Sequence, residues 1–208
     1  MFALVDKSDN SITKLLSGNQ GITIGDNQYP KAIFTIWTES ERNAINIYTV
    51  EIDNSKFKDQ QWYINTDMTY SFDGTNATGS YGDATAKEHA DTLWTADDES
   101  KGYGTEGEVA AEGLKTLLIR NVKAQAESEL NKTDWYVVRK TEESTAIPSA
   151  VTTHRKAVRS KQAAMETSIT NASDTPALET LYTVVNTADE GDTPVYERPL
   201  GKIPVKEF

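Results

Sequence analysis

The sequence predicts an α+β protein: an N-terminal small antiparallel β module with a short helix, then a C-terminal antiparallel helical hairpin and an extended tail. Three observations carry this expectation. To about Tyr81, short apolar runs alternate with turn residues. Between Asp83 and Glu112, nine acids stand against Lys87 and Lys101, with Gly102, Gly104, Gly107 and Gly113 in or beside the stretch. Beyond it, apolar residues recur at helical spacing. The corresponding segments are a β-rich module at 1–82, an acidic Gly-containing linker at 83–109, the hairpin at 110–175 and the tail at 176–208.

In the first segment, "FALVD" and "SITKLL" read as two strands turned by Asn10 after Asp9. "GITIGDNQYP" is a further short strand, closed by Asp26-Asn27 and Tyr29-Pro30. "AIFTIW" alternates like a strand towards Trp37. Thr38-x-x-Glu41 fits a capping box, so one or two helical turns start there. "INIYTVEID" alternates again, and "QQWYINTDMTYSFDG" reads as a long aromatic strand with its turn at Asp73-Gly74. "NATGSYG" returns along it.

A short helix is expected near Thr85–Leu93, followed by a flexible acidic linker that marks the domain boundary. Leu114, Leu118, Val122 and Ala126 then stand four apart, the stripe of an amphipathic helix, with Leu117 and Leu130 nearby. "DWYVV" breaks the pattern with β-branched and aromatic residues, and Pro148 suits the first turn of a second helix. There Val151, Val158 and Met165 lie seven apart, flanked by Ala157, Ala164 and Ile169. "LETLYTVV" suits either a helix extension or a strand, and the Pro-containing end reads as extended.

Composition narrows the chemistry. Hydrophobic residues are 37% of the 208, which suits thin sheets, short bundles or a subunit that borrows core from neighbours. A formal charge of −11 argues against sequence-independent binding of duplex DNA. The absence of cysteine excludes disulfides and thiolate metal sites, and two histidines, His89 and His154, make a histidine zinc site improbable. No apolar run reaches a membrane span, and Asp6 and Asp9 interrupt any secretory apolar region, so a soluble chain made in the cytoplasm is expected. The Gly-rich "GYGTEG" and "GEVAAEG" lack the Lys-Ser/Thr of a phosphate loop. "TADDESKGYGTE" lacks the alternating oxygen ligands of a calcium loop. The basic group Arg139, Lys140, Arg155, Lys156, Arg159 and Lys161 lacks interleaved aromatics and reads as a solvated helix face. No catalytic, cofactor-binding or metal residue is therefore assigned. Trp37, Trp135, Tyr136, Arg155 and Arg159 stand out as interface or packing candidates, with Trp135 expected to close the seam of the hairpin.

One stretch carries a resemblance. A helix followed by Thr133-Asp134-Trp135, a loop, and a helix with Arg155 and Arg159 resembles the C-terminal module of phage tail fibre assembly and tail assembly chaperone-like proteins. Val151 and His154 stand where that family has Trp and Tyr, and Val158 stands at its leucine. "SGNQGITIGDNQYPKAIFTIWTESERNAINIYTVEID" is similar to the leading β module of structural proteins from tailed marine phages. The resemblance implies a tail-associated protein without catalysis or cofactor. It would be made in the host cytoplasm and carried in the virion tail, contacting other tail proteins and copies of itself. It implies no nucleic-acid partner. An assembly chaperone absent from the finished particle is the alternative role. A tail-associated polysaccharide hydrolase ranks below both, since no acid pair is singled out.

Overall fold

The computed structural model describes residues 1–208, and the chain is of mixed α+β type with six α-helices. It divides into two compact units, Met1–Thr85 and Ala86–Phe208. The division falls near the start of the predicted linker.

The first unit is built on a five-stranded sheet in the order β2-β1-β5-β8-β7. Its strands are β1 (Phe2–Asp6), β2 (Ser11–Leu16), β5 (Ile47–Asp53), β7 (Thr69–Phe72) and β8 (Ala77–Ser80). The β1–β2 hairpin turns as expected at Asn10, which adopts φ 61°, a left-handed conformation that asparagine tolerates. β7 and β8 turn at Asp73-Gly74, where the Asp73 carboxylate accepts from the backbone N–H groups of Thr75 and Asn76 at 2.8 and 2.7 Å. The sheet is antiparallel-rich but not wholly antiparallel: β5 and β8 pair in parallel. The β7–β8 hairpin adds to the sheet through its second strand, which fixes that direction. The edge strands β2 and β7 approach one another, so the sheet is nearly closed.

Period-two alternation places side chains on both faces. Ala3, Val5, Tyr48, Val50, Phe72 and Ala77 form one core. Leu16, Ile22, Ile33, Phe34 and Ile47 form the other, with Phe2, Leu4 and Trp37 packed against it. The second core involves the small hairpin of β3 (Ile22–Ile24) and β4 (Asn27–Tyr29). "AIFTIW" is not a strand. Pro30 ends β4, and Lys31–Phe34 form a 3-10 turn that buries the adjacent Ile33 and Phe34, which alternation would have sent to opposite faces. Helix α1 (Glu39–Asn43) starts with the expected capping box between Thr38 and Glu41. The long aromatic strand is also interrupted: β6 is only Tyr63–Ile64, and β7 begins at Thr69. The buried Trp62 and Tyr63 are consecutive, so packing there does not follow strand alternation.

The second unit corrects the linker reading. Residues 83–109 carry β9 (Thr85–Ala86), β10 (Thr92–Leu93) and α2 (Ala96–Ser100), and no helix forms over 85–93. β10 pairs with β11 (Val109–Ala111), and Thr95 and Asp98 cap α2 reciprocally. The segment before β10 instead serves the start of helix α3 (Leu114–Asn131). Backbone N–H groups of Leu114 and Lys115 donate to the carbonyls of Glu88 and His89, both at 3.0 Å. The Asp91 carboxylate accepts from the Gly113 N–H at 2.7 Å and from the Thr116 hydroxyl at 2.8 Å. These bonds, the Gly113 one first, hold its carboxyl below the usual range. Orphan donors at a helix start need such partners. An acid used this way is no longer a solvated linker charge.

Helix α4 spans Asp134–Glu143, so "DWYVV" is helical and not strand-like. Helix α5 spans Ser149–Asn171 and α6 spans Thr175–Tyr182. Leu118, Val122 and Ala126 of α3 are buried, as are Val151, Val158, Met165 and Ile169 of α5, whereas Ala157 and Ala164 are exposed. Polar ties between α3 and α5 run in opposite order along the two helices: Lys115 to the Thr170 carbonyl, Lys123 to Glu166, Glu129 to His154. "LETLYTVV" gives helix first and then the two-residue strand β12 (Val185–Asn186), which pairs with β13 (Tyr196–Glu197). Leu200 and Ile203 beyond it are buried.

Two outcomes test this account. A Cβ at Gly113 would stand 2.3 Å from the Ala90 carbonyl. Gly113→Ala should therefore lower stability by about 1–3 kcal/mol in urea denaturation followed by circular dichroism. Thr38→Ala removes the α1 cap and should cost about 1 kcal/mol.

Candidate functional site

The residues that carry the resemblance meet at the joint of α3, α4 and α5. α3 ends at Asn131, and Thr133 caps the gap before α4 with its hydroxyl donating to the Leu130 carbonyl at 2.9 Å. Arg155, in the first turns of α5, is 9% exposed. Its Nη1 donates to the Leu130 carbonyl at 2.8 Å, the Thr133 hydroxyl at 2.8 Å and the Asp134 carboxylate at 2.7 Å. The guanidinium thus adds a charged donor to a carbonyl at the end of α3 that also accepts from the Thr133 N–H and hydroxyl, and it pairs with the acid that opens α4. Arg155 was expected on a solvated face, and that expectation is corrected. It falls one position after buried His154 and three before buried Val158, on the inward side of α5.

One helical turn earlier on α3, a second buried group sits beside this joint. Glu129 is 4% exposed. Its carboxylate pairs with His154 Nε2 at 2.9 Å, accepts from the backbone N–H of Lys206 at 2.9 Å, and is bridged by Lys132 Nζ. Burial pushes this carboxyl up, but the bonds from Lys132, the Lys206 N–H and His154 together outweigh it and hold it below its ordinary value of 4.5. The Phe208 ring lies 5.2 Å from the His154 ring. A carboxylate–imidazole pair is a familiar part of catalytic triads. Here its partners are a lysine, a backbone N–H and a phenyl ring, and the pair fastens a helix to the end of the chain. Sequence reasoning missed Glu129. The four-apart stripe continues at Leu130, and Glu129, three after Ala126, shares the buried side of α3.

Trp135 is 50% exposed. It does not close the helical seam, which corrects its expected structural role. Its ring lies 3.7 Å from that of Tyr136, and the Arg139 guanidinium sits 4.7 Å above it. Val137 and Val138 are also exposed and no residue of α4 is buried, so apolar, aromatic and basic side chains surround this helix. Arg159 is exposed and lines a shallow groove of about 370 Å³ with Lys123, Glu127, Asp134, Arg155 and Gln162. Trp37 lies in the first unit, half-buried and edge-on to Tyr29 at 5.9 Å, and its carbonyl accepts from Arg42. The structure thus brings Trp135, Tyr136, Arg155 and Arg159 into one region and leaves Trp37 in the core of another. No group of three or more His, Asp or Glu side chains converges as a metal site. No helix is long and apolar enough to cross a membrane.

Arg155→Met should lower stability by about 1–3 kcal/mol, because the Leu130 carbonyl and Thr133 hydroxyl lose a partner while packing volume is kept. Trp135→Ala should change it by no more than about 0.5 kcal/mol, as exposed substitutions do. Thermal melts of both variants check the contrast. The depressed carboxyl of Glu129 contributes stability in full above pH 4.5 and loses it as pH falls through the lower folded value. Glu129→Gln should flatten the fall of melting temperature in that acid window.

Comparison with known protein families, with curated proteins and with solved structures finds no match to this chain.

Proposed function

We propose that this protein is a non-enzymatic structural component of a bacteriophage tail, a baseplate, adaptor or fibre-attachment subunit acting through protein–protein contacts. The supporting observation is the joint itself. Arg155 bonds directly to both Thr133 and Asp134, and all three are residues on which the tail-protein resemblance rests. Residues related by a shared motif but distant in sequence are expected to touch when the motif is a packing element.

On this reading, residues 110–175 are an antiparallel helical hairpin whose joint aims α4 outward. Residues 176–208 form its tail. The exposed Trp135, with the half-buried Tyr136 and Arg139 packed on it, is the kind of side chain that anchors protein interfaces. Val151 and His154, which replace the aromatic residues of the chaperone-like family, are buried in the helical core. This favours a lasting subunit over an assembly chaperone.

Mass spectrometry of purified virions should detect the chain, and its absence from finished particles would favour the chaperone. Release of sugar fragments from host envelope by the purified protein would favour a hydrolase instead. Trp135→Ala should leave the fold intact yet reduce incorporation into particles at least about tenfold, the range of an interface anchor.

A further inference from the structure

Within the second unit, residues 201–208 carry no regular secondary structure, yet they are seated. Leu200 is 2% exposed and Ile203 is 7% exposed. The Leu200 N–H donates to the Leu181 carbonyl at 2.9 Å, and the Lys206 N–H donates to Glu129 at 2.9 Å. Phe208 ends the segment against His154. Gly201, at φ 71°, bends the chain where a Cβ would meet Lys161 of α5 at 2.4 Å. The segment is therefore a strap laid over α3 and α5 by a few discrete anchors.

Two features distinguish this strap from settled core. First, it is flanked by an open groove of about 600 Å³, lined by Ala124, Gln125 and Ser128 of α3 and by Ile203 and Val205 of the strap, and Val205 is 75% exposed. Second, its charge opposes that of the molecule. Lys202 and Lys206 stand against Glu207, in a chain of net charge −11. The hairpin of β12 and β13 that leads to the strap has exposed residues in both strands, so little packing resists its swinging away.

We propose that the groove over α3 and α5 is a socket for this strap, and that in an assembly it receives the strap of a second copy. The occupant is fixed by the structure, because the socket already holds that segment of its own chain with matching anchors. Exchange between copies remakes every contact, so its cost is confined to the hinge. A tethered strap has an effective concentration of order millimolar, so exchange wins where copies are crowded. A symmetric tail ring supplies that condition, and in this sense the proposal rests on the assembly reading above.

The chain has no cysteine, which allows a direct test. Full-length Ser128→Cys and Val205→Cys chains are mixed in equal amounts, unfolded, refolded together at high concentration and oxidised. The expected product is a disulfide-linked dimer containing one chain of each kind. Adding Ile203→Asp to the Val205→Cys chain should reduce it at least about tenfold. Should Ile203→Asp lose the native circular dichroism, Phe208→Ala serves in its place, since it removes only a half-exposed terminal ring. A mixture that yields no mixed dimer, or one equally abundant with the strap variant, overturns the proposal. Trp135→Ala should leave the cross-link unchanged. A particle lacking this chain, with cross-linking intact, would sink the tail-subunit reading alone.

Discussion

The helical unit turns on one guanidinium. Arg155 reaches from α5 to the Leu130 carbonyl near the end of α3 and to the first carboxylate of α4. Three segments meet there, and the end of α3, the Thr133 link and the start of α4 each present one oxygen to it. Arg155 Nη1 alone donates to all three, so one charged nitrogen ties the segments together. Asp134 is half-exposed, so the charge of Arg155 is countered without taking a second ion fully out of water. The direction in which α4 leaves the joint, and so the presentation of Trp135 and Tyr136, follows from where that arginine stands.

Beside it, Glu129 and His154 apply the same logic to the end of the chain. Burying an unpaired carboxylate would be costly, and this one accepts from a side chain on each of two elements and from the backbone of the strap. A polar anchor of this kind fixes register without adding much apolar area. That suits a chain with modest hydrophobic content. It also leaves the strap held at points, beside an open groove.

The first unit solves a different problem. Its short strands bury apolar residues on both faces, so two small clusters replace one large core. The near closure of the sheet brings its edges together, which limits the unpaired strand edge open to other chains.

Local chemistry determined much by itself. The turns at Asn10 and Asp73-Gly74, the Thr38–Glu41 cap and the stripe Leu118, Val122, Ala126 each depend on residues a few positions apart, and each was legible. The errors share a cause. "DWYVV" is helical despite its β-branched residues, because Thr133 and Arg155 hold its first turn. The acidic stretch is built and not loose, because Asp91 and its neighbours cap a helix that begins at Leu114. "AIFTIW" alternates, yet it coils into a 3-10 turn because Ile33 and Phe34 are buried in one apolar cluster. Which buried polar residues would find partners, Glu129 with His154 and Arg155 with Thr133, was decided only by tertiary structure. Those pairs lie more than twenty residues apart, and hydrogen bonds over such separations leave no periodic trace in a sequence.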